Sequence, residues 1–180
     1  MSLKKMFFIN VIGTFFLCFL SHFIYEWFPN PIFSIFFPVN ESIWEHMKML
    51  YTTILMYGVI EYFIMKKFDI DNHNFLLTSF IKAIGSIPIY LLMFLPLYYT
   101  FGENMFISIS VMLITIVIVN LIGIKMLQAK EIKNQRIISI ILILLTYIIM
   151  GYLTYKTPRL ELFFDPNEEK YGINDYLIKE

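Results

Sequence analysis

Cysteine is almost missing from this chain: among 180 residues only Cys18 occurs, so no intrachain disulfide can brace the fold. Charge is scarce too. Only 16% of residues are Asp, Glu, Lys or Arg, and the 14 cations balance 14 anions. Zero net charge gives no global field to draw nucleic acid or an anionic surface, and no nucleotide loop, redox motif or nucleic-acid motif is present. A G-x-S-x-G nucleophile is also absent. So are internal repeats and the paired interrupted helices that mark many transporters.

What is present is apolar mass. Hydrophobic residues make up 58% of the chain, aromatic residues 18%, and the mean hydropathy is +0.69. A soluble domain of this size has no core large enough for that many Phe, Ile and Leu side chains, so the surplus implies lipid as solvent. Runs near the roughly 20 apolar residues needed to cross a bilayer fall at 6–27, 42–65, 75–99, 105–127 and 137–155. Backbone in hydrocarbon must satisfy its own hydrogen bonds, and no alternating ten-residue pattern suggests a barrel. The expectation is an all-α bundle of about five transmembrane helices spanning residues 1–156 as one domain, followed by a tail over 157–180. A cleaved signal peptide is the rival reading of the first run, after Lys4 and Lys5, but no small-x-small site closes it.

Cations set the expected orientation. With five spans, Lys4, Lys5, Lys66, Lys67, Lys125, Lys130, Lys133 and Arg136 share one side, while the loops 28–41 and 100–104 contain no Lys or Arg. The opposite side has only Lys156, Arg159, Lys170 and Lys179, all in the tail. This positive-inside pattern puts the amino terminus in the cytoplasm and the carboxyl terminus outside. Tyr25, Trp27, Trp44, Tyr98, Tyr99, Tyr152 and Tyr155 then gather at the outer interface, where aromatic belts lie. Abundant Ile, Phe, Lys and Asn suits an AT-rich bacterial genome, and the expected location is a bacterial cytoplasmic membrane crossed several times. The loop 28–40, with Pro29, Pro31 and Pro38 around an apolar stretch, is too short to cross and too greasy to float free; it should lie in the interface or dip in and return. Pro88 and Pro96 should bend the third span.

Two stretches carry the chemistry: His22-Phe23-Ile24-Tyr25-Glu26, and Phe36-Phe37-Pro38-Val39-Asn40-Glu41-Ser42-Ile43-Trp44-Glu45-His46-Met47-Lys48. Together with Leu162-Phe163-Phe164-Asp165-Pro166 and Tyr171-Gly172-Ile173, they resemble the signature of an uncharacterised family of small bacterial integral membrane proteins, a domain of unknown function. The resemblance covers essentially the whole chain. It implies a polytopic membrane fold and no mechanism.

His22 and Glu26 are four apart and share a helix face. Glu41, Glu45 and Lys48 form a stripe on the next helix, and His46 is rotated about 100° from Glu45. The expected binding set is therefore His22, Tyr25, Glu26, Asn40, Glu41, Glu45, His46 and Lys48, with Glu103 near enough in the next outer loop to join. A metal site would draw on His22, Glu45 and His46, enough for a His2Glu zinc centre. Its weakness is spacing: Glu41 and His46 are five apart and Glu45 and His46 adjacent, so ligands must converge from separate helices. A catalytic reading makes Glu45 or His46 the general base of a membrane hydrolase. A structural reading has Ser42 and Glu45 as a capping box, Asn40 as an equally good cap, and Glu41 against the helix dipole. It accounts poorly for His46 and Lys48, since charge deep in a bilayer is costly.

Three functions stay open: an outward pocket binding a cation or polar headgroup, a hydrolase acting on an envelope lipid or peptide, and a structural partner of another envelope protein. Membrane lipid is the expected surrounding partner, with no nucleic acid. The cofactor stays open, a divalent metal being the one candidate the residues suggest. Glu61 and Lys82 should pair across antiparallel helices, Asn120 should bond to a neighbouring helix, His73 should be merely exposed, and Asp165–Glu169 reads as a solvated turn more than a calcium loop.

Overall fold

The structure, a computed structural model, describes residues 1–173 and the backbone of Asp175 and Tyr176. Lys179, counted above among the tail cations, lies outside the described residues. The chain is an all-α bundle: α1 (Leu3–Trp27), a short α2 (Pro31–Phe36), α3 (Ile43–Lys67), α4 (Phe75–Phe101), α5 (Met105–Leu127) and α6 (Gln135–Tyr155). A 3₁₀ turn at Glu161–Phe163 leads into three two-residue strands, β1 (Phe164–Asp165), β2 (Lys170–Tyr171) and β3 (Asp175–Tyr176), in antiparallel order. α4 runs without a break through Pro88 and Pro96.

α1, α3, α4 and α5 close a ring in which α1 packs on α3 and α5, and α4 packs on α3 and α5; α6 lies outside against α4, and α2 packs on α6 and links it to α1 and α3. The helices are apolar outward, and their inward faces mix apolar core residues with polar ones. On α1 the buried face carries Asn10, Thr14, Cys18 and Ser21, while Ile12, Phe16, Phe23 and Trp27 are exposed. On α6, Ser139, Met150 and Thr154 are buried, and Ile137, Ile141, Leu144 and Ile148 face out. Water would not tolerate so large an apolar exterior; lipid requires it.

Four helices, α1, α4, α5 and α6, are long and apolar enough to cross a membrane. α3 has the length, at 25 residues, but carries Glu45, Lys48 and Glu61. All three are buried and ion-paired inside the protein, so the charge within the span is shielded, while Lys66 and Lys67 are exposed at its end.

The greasy loop between α1 and α3 is neither loose nor flat on the surface. Asn30 caps α2 by accepting from the Ile32 and Phe33 amides at 3.0 Å each, and Pro31 supplies a pre-set φ at the first helical position. Ser34 is fully buried and its hydroxyl is 2.8 Å from that of Tyr155. At the far end of the bundle, Asn74 donates to the Lys130 carbonyl (3.0 Å) and accepts from the Ile132 amide (2.9 Å), so the loops after α3 and α5 are tied together.

Candidate functional site

Ser42 starts α3. Its hydroxyl accepts from the Glu45 amide (3.3 Å), and its own amide donates to Asn40 Oδ1 (3.0 Å). The capping box is only half formed, because Glu45 does not return to Ser42. Its carboxylate takes the Val39 amide (3.1 Å) and the Lys48 ammonium (2.5 Å) instead. Lys48 completes its three bonds on the Ser34 carbonyl (2.7 Å) and Thr154 Oγ1 (2.9 Å). This fully buried knot ties α2, α3 and α6 and explains the lysine that capping left unexplained.

Glu41 precedes α3, so the helical spacing that set it apart from His46 does not apply. Its amide is held by Asp165 Oδ2 (3.2 Å), and the neighbouring Asn40 donates to the Gly172 carbonyl (2.9 Å). The tail therefore folds back over this end of the bundle, with the Phe163 ring tilted against Trp44 at 5.1 Å between centroids. Residues 166–169 form the exposed turn expected, but Asp165 at its start is buried. It is 1% exposed and also accepts from the Asn167 and Glu168 amides.

Held this way, the Glu41 carboxylate comes to 3.5 Å from His22 Nε2 and 3.4 Å from His46 Nε2, and the two Nε2 atoms are 3.2 Å apart. These three residues form the one candidate metal cluster among the described residues. A carbonyl only accepts, so the 2.9 Å contact from His46 Nδ1 to the Ser42 carbonyl puts that ring's hydrogen on Nδ1. In the neutral ring Nε2 then presents a lone pair to the carboxylate. Electron-rich atoms this close need a positive centre between them, a proton or a metal ion. Hydrogen bonds with His22 and then His46 hold the Glu41 carboxyl well below the usual carboxylate range, against the opposing effect of burial. It stays an anion.

The expected ligand set named Glu45; the cluster contains Glu41 in its place, since Glu45 faces the opposite way into its pair with Lys48. Tyr25 is half-buried and Glu26 exposed at the end of α1, and neither belongs to the cluster. Asn40 and Lys48 are engaged in structural bonds outside the cluster. His22, Glu41 and His46 line one wall of a cavity of about 350 Å³, whose other walls include Cys18, Met49, Tyr90 and Met112, with Glu103 at its rim residues.

The second charged cluster lies further along the bundle. Lys82 bonds Glu61 (2.6 Å) and Asn120 Oδ1 (3.3 Å), and Asn10 Nδ2 donates to the other oxygen of Glu61 (2.5 Å). A Cβ at Gly123 would come 2.6 Å from Lys82 Cδ, so glycine there makes room for the lysine. Asn10 had no signal in the sequence beyond its polarity in an apolar run. His73, expected to be merely exposed, bonds Asp71 (2.6 Å) and the Ala129 carbonyl (2.9 Å).

Compared with known protein families, residues 1–173 match a family described as a family of unknown function, DUF6512. No curated protein and no solved structure matches.

Proposed function

The chain belongs to this family of unknown function, whose description assigns no chemistry, and from the site we propose that it is a membrane protein that binds a divalent transition-metal ion through His22, Glu41 and His46. One observation carries the reading: the three donor atoms form a triangle with edges of 3.2, 3.4 and 3.5 Å. A tetrahedral metal with bonds of about 2.0–2.1 Å has donor–donor edges of about 3.3–3.4 Å. The donor set, two imidazoles and a carboxylate, suits zinc. The Ser42 carbonyl on His46 Nδ1 is the outer contact that orients metal-bound imidazoles. Three protein ligands leave the fourth position for water or substrate, facing the cavity.

The test is elemental analysis of detergent-purified protein after incubation with zinc and gel filtration. About one zinc per chain is expected for wild type, as for a single His2Glu site, with loss in His22→Ala, Glu41→Ala and His46→Ala. Glu45→Ala should retain the metal if it folds, which separates this set from the one centred on Glu45. Zinc-free wild type, or retention in all three ligand variants, refutes the reading. A second reading, a hydrolase, is favoured by the same open position beside an apolar wall and by Glu103 as a candidate base.

A further inference from the structure

α3 and α6 both pack on α4, and they meet each other toward the Ser42 end of α3, where the Tyr147 hydroxyl donates to Thr52 (3.3 Å). From there to the other end of the bundle they wall a groove of about 760 Å³, with Leu76 and Ser79 of α4 between them. The groove follows α3 from Thr52 to Phe63, about 17 Å at 1.5 Å per residue. Its walls are mainly apolar, and Val59 and Phe63, 58% and 64% exposed, place it on the outer surface of the bundle. Phe36 and Phe37 line one end; Gln135 and Arg136 line the other.

The Arg136 end suits negative charge. α4 and α6 begin side by side there: Gln135 Oε1 accepts from the Leu77 amide (3.2 Å), and its Nε2 donates to the His73 carbonyl (2.7 Å). Neither helix has a side-chain cap bond or an acidic residue in its first turn, so two positive dipole ends lie together without an anion. Arg136 adds a full cation in the first turn of α6, where the dipole disfavours one. It is exposed and has no ion pair among the described residues. Deeper in the groove, Ser79 is only 3% exposed, yet its hydroxyl has no hydrogen-bond partner. Buried hydroxyls are normally bonded, so a polar group from outside the chain would complete it.

We propose that this groove is a specific site for one anionic membrane lipid, its headgroup on Arg136 and the amino ends of α4 and α6, and an acyl chain along α3. Ser79 lies four residues into α4, about 6 Å beyond the helix start, and there meets the ester oxygens that a glycerolipid carries below its phosphate. The volume is in the usual range of about 300–1,000 Å³ for sites that bury a small molecule. Charge complementarity selects this occupant: an apolar helix of a partner or a second copy would fill the walls but leave Arg136 and Ser79 unanswered. An anionic amphiphile answers all three features at once. The groove lies between α3 and α6, whereas the metal cluster lies where α3 faces α1, so neither reading depends on the other.

The test is native mass spectrometry of the detergent-purified protein, titrated with phosphatidylglycerol or with phosphatidylcholine of the same acyl chains. Wild type should take up one phosphatidylglycerol, at least about fivefold more tightly than phosphatidylcholine, the weight of one basic residue against an anionic headgroup. Arg136→Gln, at an exposed position, should abolish that preference and leave phosphatidylcholine binding as it was. Val59→Trp, also at an exposed position, fills the groove and should weaken both lipids. Equal affinity of wild type for the two lipids overturns the inference. So does an unchanged preference in Arg136→Gln or unchanged affinities in Val59→Trp. A dimer, or a co-purifying polypeptide, that shuts lipid out and is lost in Val59→Trp overturns it in favour of a protein occupant.

Discussion

Replacing Lys48 by Met tests whether the charges at the start of α3 hold the protein together. The lysine is 0% exposed and makes bonds of 2.5, 2.7 and 2.9 Å to Glu45, the Ser34 carbonyl and Thr154. Methionine fills similar volume but leaves the 2%-exposed Glu45 carboxylate with only the Val39 amide and the Thr154 hydroxyl. Stranding one member of a buried pair costs about 3–5 kcal/mol. For a chain of this size each kcal/mol moves Tm by about 2–4 °C, giving a fall of roughly 6–20 °C. The double variant Glu45→Gln/Lys48→Met removes both charges and should recover most of that loss. Thermal unfolding in one detergent, followed by circular dichroism, measures all three proteins. A Lys48→Met shift within about 2 °C, less than one kcal/mol, would refute the idea that this knot anchors α2 and α6. So would a double variant no better than the single.

Asp165→Asn should weaken zinc binding about 10–100-fold, the usual effect of losing an outer-shell contact, because Asp165 holds the Glu41 amide; titration with a competing chelator reads the change, and unchanged affinity would remove Asp165 as a positioning residue. Gly123→Ala places a methyl 2.6 Å from Lys82 Cδ and should cost about 1–3 kcal/mol by overpacking, seen as a lower Tm. His73 is raised above its ordinary value of 6.5, first by the Ala129 carbonyl and then by Asp71. Its contribution is therefore complete below that value and is lost as pH rises through the folded one. The Tm difference between wild type and His73→Ala should be largest near pH 5.5 and shrink by pH 8; a difference independent of pH would contradict the assignment.

Individual residues separate what was legible in the chain from what was not. α1, α4, α5 and α6 declare themselves through length and apolarity, since lipid rewards uninterrupted hydrophobic runs. The Glu61–Lys82 pair was readable because two opposite charges in neighbouring apolar helices have nowhere else to go. The turn at 166–169 was legible, whereas the burial of Asp165 was not, because it accompanies a tail that folds back across more than a hundred residues of chain to reach Glu41.

The sequence by itself determined a lipid-embedded helical bundle and where its ionisable groups cluster, because composition and hydrophobic run length act locally and add along the chain. Only the tertiary structure decided which groups face one another. Glu41 joins His22 and His46 because Ser42 ends the helix one residue short of it and the tail holds its backbone. Glu45 is diverted to Lys48 because Ser34 and Thr154 complete that lysine's bonds. Both outcomes depend on contacts between distant segments, which residue spacing along one helix does not encode.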